Sequence, residues 1–249
     1  MVPTIVLITG CNRGIGRGLL ELYLAKPHHT VIAAVRDPQH ETSQEMLKLP
    51  TAEGTTLIVI KIDSTIQSDP AAAFAQLAAR APAIDHLDVV IANAGIAQLY
   101  ATVAEVTAAQ MQEHIEANVY GLVWLYQAAR PLLQKSSQRH PVWVTMGSSA
   151  AYLTNFLPMK NAAYAPSKVV GHWLTKAMHT EEPWLTAFPI DPGWVQTDLG
   201  NRGAAAFGIS QAAISVDDSV KGVIKVVDAA TRETHSGKLW SYTGDVVPW

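Results

Sequence analysis

The stretch TIVLITGCNRGIGRG, residues 4–18, decides the fold. Thr4 to Thr9 form a short apolar run without period-two alternation, the signature of a strand covered on both faces. Gly10, Gly14 and Gly16 follow in a GxxxGxG spacing, and from Ile15 apolar residues recur at helical intervals through Leu19, Leu20, Leu22 and Tyr23. Glycines at a strand-to-helix turn permit a tight bend and let backbone N–H groups approach a phosphate at a helix N-terminus. The stretch therefore predicts the opening βα unit of a nucleotide-binding sheet, with a dinucleotide pyrophosphate over the glycine turn.

Working outward, the alternation continues. Apolar runs at 30–35, 56–62, 87–93, 142–147, 184–190 and 238–242 read as further strands. Helical periodicity fills 15–26, 41–48, 70–80, 107–134, about 164–180 and 216–230. Strands separated by helices predict an α/β fold: a doubly wound, Rossmann-type parallel sheet of about seven strands in one domain spanning 1–249. Its ligand is expected beyond the carboxyl ends of the strands. Pro189 lacks a ladder donor in what should be an inner strand, which predicts a bulge there. The segment 199–215 is Gly/Ala-rich and short; it reads as a lid, too small to be a substrate domain.

The composition excludes several classes. With 249 residues, 49% of them hydrophobic, the chain can bury a large core. A formal charge of −3 and no long charge run argue against a nucleic-acid partner. No apolar run is long enough for a membrane span, and MVPTIVLITG lacks the basic region and cleavage site of a signal peptide. Cys11 is the only cysteine, so no internal disulfide can form, which fits a reducing, cytoplasmic setting. Nine histidines show no zinc-type spacing, and no metal site is expected.

The second strand ends in AAVRDP. A guanidinium at that tip grips a ribose 2′-phosphate bidentately, whereas a carboxylate accepts from a free 2′-hydroxyl. Arg36, with Arg13 of the glycine loop as a second cation, points to NADPH; Asp37 on the ribose hydroxyls is the competing reading and favours NADH.

Residues 163–168 read AYAPSK. Tyr164 and Lys168 are four apart, which stacks them on one helical face. Pro166 is tolerated only in a first turn, so the helix should begin at 163–165, with the tyrosine at the positive end of its dipole.

These landmarks come in a definite order. The glycine loop is followed by Asp63 after the third strand, Asn93-Ala94-Gly95 after the fourth, and Asn118 in the long helix. Ser148-Ser149 follow the fifth strand, then Tyr164 and Lys168, then PGWVQTD (192–198) after the sixth. Together they resemble the short-chain dehydrogenase/reductase family over essentially the whole chain, in its carbonyl-reductase branch. WLTAF, DPGWVQTDLG and SGKLWSYTGDVVPW look like the fungal norsolorinic acid ketoreductase group, which reduces aromatic polyketide ketones.

The resemblance implies roles. Tyr164 would be the general acid, Lys168 would hold the nicotinamide ribose and favour the tyrosinate, and Ser148 would bind the substrate oxygen. Asn118 would kink its helix and hold a water that links Lys168 to solvent. Gly10, Asn12, Arg13, Gly14, Ile15 and Gly16 would cradle NADP(H). Asp63 and Ser64 would meet the adenine, and Asn93 to Gly95 would line the adenosine side. Pro192, Gly193, Val195 and Thr197 would hold the carboxamide end. Lowering a tyrosine by about three pKa units takes roughly 4 kcal/mol of phenolate stabilisation; Lys168 and the oxidised nicotinamide are the expected sources.

Alignment from the strand end selects Ser148 as the catalytic serine, with Ser149 as the alternative near the substrate. Tyr100, Tyr152, Phe156, Trp194 and Phe207 fall in loops after strands, where they could stack on a flat ketone or simply pack. The helices at 107–134 and 164–180 are apolar on more than one side, which fits either a homodimer or cover by local loops. Expected is an NADPH-dependent ketone reductase; a catalytically idle NADP(H)-binding sensor is the alternative.

Overall fold

The structure, a computed structural model, describes residues 3–98, 100–136 and 140–249. Elements follow in the order β1 (Thr4–Thr9), α1 (Gly14–Leu24), β2 (His29–Val35), α2 (Glu41–Met46), β3 (Thr56–Lys61), α3 (Asp69–Arg80), β4 (Val89–Ala92) and α4 (Ala108–Ile115). After a π-helical turn, Glu116–Tyr120, come α5 (Gly121–Leu133), β5 (Val142–Met146), α6 (Tyr164–Glu181), β6 (Thr186–Asp191), α7 (Asp198–Ala206), α8 (Val216–Asp228), β7 (Leu239–Ser241) and β8 (Val246–Val247).

The strands form one sheet in the order β3-β2-β1-β4-β5-β6-β7-β8, parallel throughout except for β8. Chain direction across the sheet reverses between β1 and β4, so the crevice expected to hold a ligand opens between the loops after Thr9 and after Ala92.

Alternate side chains of each strand feed opposite faces. Val6, Ile8, Val31, Ala33 and Val35 pack with Leu19, Leu20, Val223 and Val227 of α1 and α8. Ile5, Leu7, Ile32 and Ala34 pack on the other face with Phe74, Leu77, Leu125 and Leu133 of α3 and α5. Full burial of side chains this size contributes about 1.5–3 kcal/mol each, so the sheet is a rigid floor beneath the loops.

Two expectations need correction, the unbroken helix over 107–134 and the bulge at Pro189, and two gain detail. The helix expected over 107–134 is two helices joined by the π-turn, because Asn118 is drawn out of the regular ladder by partners described below. The segment 199–215 is helical in its first half, as α7, capped by Thr197 Oγ1 accepting from Gly200 N–H at 3.1 Å. An eighth strand, antiparallel β8, extends the expected seven. Pro189 causes no bulge: β6 pairs with β5 without interruption from Thr186 to Ile190. Thr186 N–H and the Ile190 carbonyl face β5, whereas Ala187 N–H faces Ser236 on the β7 side. Pro189 shares the parity of Ala187, so its missing donor points where β7 pairing begins only at Ile190.

Candidate active site

The glycine loop forms as its spacing predicts. Gly10 and Gly14 have φ of +69° and +56°, the left-handed region. A Cβ at Gly16 would lie 2.1 Å from the Gly10 carbonyl oxygen, so the loop closes only on glycine. Arg13 caps α1 in extended conformation with no side-chain cap bond, and no acidic residue sits in the first turn. The result is a helix N-terminus with free donors and an electropositive end, fit for a pyrophosphate.

The loop after β4 locks onto this one. Asn93 Nδ2 donates to the Thr9 carbonyl at 2.8 Å, and the N–H groups of Asn93 and Ala94 donate to Thr9 Oγ1 at 3.0 and 2.9 Å. Asp63 accepts from Thr65 N–H and Oγ1, while Ser64 packs against Gly121 at the start of α5. Arg36 is exposed at the tip of β2. Asn12 donates to Thr42 Oγ1 at 2.8 Å, and Arg13 pairs with Asp198 at 3.2 Å, both ends of that pair exposed. Ile15 packs on the core beneath the loop.

On the far side, Gly193 adopts φ of +80° against Tyr242, and the Pro192 carbonyl accepts from Ser219 Oγ at 2.7 Å. Val195 bridges to Ile214. Thr197 packs onto Gly14, where a Cβ would lie 3.0 Å from Thr197 Cγ2. The two ends of the candidate site thus touch across the crevice.

α6 begins at Tyr164, with Ala163 as N-cap, so Pro166 lies in the first turn. Tyr164 and Lys168 face the crevice together, Lys168 Nζ 5.7 Å from the Tyr164 ring centre. The Ser148 side chain lies beside the Tyr164 hydroxyl and acts to lower its pKa, while Ser148 Oγ accepts from Ala150 N–H at 3.2 Å. Ser149 turns elsewhere: its N–H and hydroxyl face the Asp191 carboxylate at the end of β6 and act to lower its pKa. Asn118 Oδ1 accepts from Ile96 N–H at 2.8 Å, while its Nδ2 donates to the Ile96 carbonyl and to Ser167 Oγ. Between Asn118 and Lys168 lies a cavity of about 20 Å³, also bounded by Thr9, Ser64 and Thr145. One water needs about 10–15 Å³ and two to four polar neighbours, so the space suits it.

Burial moves the two groups of the catalytic pair in opposite directions. Tyr164 is pushed up to about 12, chiefly by burial; the Ser148 side chain opposes the shift, and the charges of Asp191 and Tyr100 add to it. Lys168 is itself pulled down to about 8 by burial, and its Nζ donates to the Met146 carbonyl at 2.9 Å. The ammonium stays mostly charged at neutral pH, but it is turned toward that carbonyl and does not offset the desolvation of the phenolate. Asp191 is raised by burial despite the N–H of Gly193 and the Tyr152 hydroxyl.

The aromatic residues divide. Tyr100, Trp194 and Phe207 cluster, with Tyr100–Phe207 ring centres 5.2 Å apart and Trp194–Phe207 6.4 Å. Tyr152 is buried and donates to Asp191 at 2.9 Å. Phe156 is 68% exposed. It lines an apolar pocket of about 660 Å³ together with Tyr152, with Ala150 and Ala151 after the serine pair, and with Ala165, Pro166 and Val169 of α6.

Two residues not foreseen from the sequence hold this centre: Asp191, and His172 on α6, whose Nε2 accepts from Ser148 N–H at 3.3 Å. The spacing Tyr164, Lys168, His172, four residues each, was the available signal. Among the described residues no group of His, Cys, Asp and Glu could hold a metal ion, and no helix is long and apolar enough to cross a membrane.

Comparison with known proteins agrees with this geometry. Residues 4–206 match the family described as short chain dehydrogenase. The chain is 39% identical to a norsolorinic acid ketoreductase of Dothistroma septosporum over 99% of its own length and 92% of that protein. It is equally 39% identical to the norsolorinic acid ketoreductase of Aspergillus parasiticus, over 99% and 91% of the two chains. Among solved structures, it is similar to the NADPH-bound carbonyl reductase from chicken fatty liver, with a TM-score of 0.85, 28% identity and full coverage of both chains.

Proposed function

The chain belongs to the short-chain dehydrogenase family, an oxidoreductase family in which its relatives are ketoreductases and carbonyl reductases, and from that premise we propose that it uses NADPH to reduce an aromatic, polyketide-type ketone to a secondary alcohol. One observation carries the reading: Tyr164, its hydroxyl beside Ser148 and its ring beside Lys168, stands at the mouth of the crevice that the glycine loop opens. The names of the relatives supply the substrate class, and the NADPH of the chicken enzyme supports the cofactor.

The glycine loop fits the cofactor's pyrophosphate, with Arg36 and Arg13 on the 2′-phosphate, Asp63 and Ser64 near the adenine, and Asn93 to Gly95 along the adenosine. Thr197, Val195 and the Pro192-Gly193 turn lie at the nicotinamide end. When bound, NADPH supplies the hydride. Ser148 donates a hydrogen bond to the ketone oxygen and polarises it, and Tyr164 delivers its proton to that oxygen as charge develops. A buried hydroxyl held near 12 is protonated at neutral pH, which suits the reductive direction. Lys168, near 8, can return the proton through a water in the cavity beside Asn118. Tyr100, Trp194 and Phe207 offer faces and edges to a flat substrate, and 199–215 acts as the lid above them. Tyr152 and Phe156 line the apolar pocket beside the serine turn, which offers the substrate further room, and Ser149 faces Asp191 beneath it.

The same reading extends to a homodimer through α4–α5 and α6, whose surfaces expose Met111, Tyr120 and Trp173; a monomeric mass in sedimentation would sink that part. The central test is a panel of hydroxylated anthraquinone-type and aryl ketones with NADPH, read as loss of reduced-nicotinamide absorbance. Turnover that disappears in Tyr164→Phe supports the reading. Tight NADPH binding with no turnover on any ketone would favour an idle sensor instead.

A further inference from the structure

We infer that His172 is a positioning residue for the catalytic serine, and that Trp249 braces it. This rests on the proposed role of Ser148.

β5 ends at Met146, and the next two residues need partners for their backbone groups. α6 supplies both. Lys168 Nζ donates to the Met146 carbonyl at 2.9 Å, and His172 Nε2 accepts from Ser148 N–H at 3.3 Å. The two bonds straddle Gly147, whose own N–H goes to the Ile190 carbonyl at 2.7 Å. Tyr164, Lys168 and His172 follow one line along the helix. A single rigid element therefore carries the acid and also grips the strand end that carries the serine, fixing the distance between the two hydroxyls.

The contact at Gly147 is close. A Cβ there would lie 2.5 Å from His172 Nε2, so the imidazole presses on the backbone itself. An Nε2 that accepts must carry no proton, which places the hydrogen on Nδ1. His172 is 3% exposed, and burial together with the Lys168 charge holds it near 4, so the acceptor persists at neutral pH.

Trp249 closes the arrangement from outside. Its ring meets His172 edge-on with centres 6.2 Å apart, and Lys176 Nζ lies 4.3 Å from the Trp249 ring centre. The Trp249 carbonyl accepts from Leu153 N–H, Thr154 N–H and Thr154 Oγ1 at 3.3, 3.1 and 3.0 Å. It thereby ties down the segment that leaves the serine turn.

The test compares His172→Leu, which deletes the acceptor, with His172→Gln, whose Oε1 can replace it, and with Trp249→Ala. Steady-state ketone reduction is measured at saturating NADPH, with NADPH affinity taken separately from fluorescence titration. His172→Leu should lower kcat about tenfold or more, the effect of leaving a buried donor unmatched, with NADPH affinity unchanged. His172→Gln should recover most of that loss at a similar melting temperature, and Trp249→Ala should give a smaller loss in the same direction. In labelled wild-type protein, the histidine nitrogen shifts should report the Nδ1–H tautomer at neutral pH. A near-normal kcat in His172→Leu, a His172→Gln variant no better than it, or the opposite tautomer would each overturn the inference. A wild-type chain that reduces no ketone would instead overturn the functional reading beneath it. If His172→Leu does not fold, Gly147→Ala, which pushes a methyl against the ring, should produce the same kcat loss; normal kcat there would overturn the inference.

Discussion

Ser148 and Ser149 are neighbours in the chain but face different partners. Ser148 meets Tyr164, and Ser149 faces Asp191. Ser148→Ala is therefore expected to lower kcat about 100-fold, the cost of one donor to a developing oxyanion. Ser149→Ala should keep most of the activity; steady-state kinetics on both variants decides. His172 makes a second prediction. Its pKa is depressed in the folded protein to about 4, against an ordinary value near 6.5. Between those values the unfolded chain binds the proton more readily, so stability rises with pH in that window and is lost as pH falls through it. The full effect is about 3 kcal/mol. Denaturant titrations from pH 4 to 7 should show that slope in the wild type, reduced by this amount in His172→Gln. The Tyr164–Lys168 pair was legible because four-residue spacing is local geometry. Ser148 was likewise selected by its place at the strand end, but the side chain that faces Ser149 was not legible, because Asp191 lies more than forty residues downstream.

At the scale of elements, Pro166 defines where α6 begins. It stands at the third helical position, where the missing N–H would have no intrahelical acceptor. Pro166→Ala should thus change stability by less than about 1 kcal/mol, whereas Val169→Pro, one turn on, should cost about 3 kcal/mol or more. Chemical denaturation of the two variants measures both. Strand and helix positions followed from apolar periodicity, and most ends fall within two or three residues of those expected. The kink at Asn118 was expected, but its form as a π-turn was not, since that depends on Asn118 reaching Ile96 and Ser167 on other segments. Nor did α7 follow: Gly200 and Gly203 weaken its helical signal, and its start is set by the Thr197 cap. Pro189 misled because a proline in a strand is costly only on a side that is paired. The direction it faces is a property of sheet order, not of the strand.

For the whole molecule, the sheet order decides function by bringing the loops after β1 and β4 together, with α6 and the turn after β6 closing the crevice. The exposed Arg36 at the tip of β2 is expected to set the cofactor. Arg36→Ala should lower kcat/KM for NADPH by about 10- to 100-fold, the worth of one charge-assisted contact, and leave that for NADH unchanged. Arg13→Ala should act in the same direction but less, because Arg13 is paired with Asp198 in the protein alone; such exposed pairs are worth about 0–1 kcal/mol and are readily exchanged. Cofactor-dependent kinetics on each variant checks both. Class, strand and helix succession, the glycine turn and the catalytic pair were readable in the chain, because backbone conformation, helical spacing and apolar period are set by residues close in sequence. The unbroken pairing around Pro189, the place of Asp191 beside the serine turn, the bond from His172 to the serine backbone and the brace from Trp249 belong to the folded molecule. Each depends on contacts between residues far apart in the chain, and on burial, which only the assembled layers create.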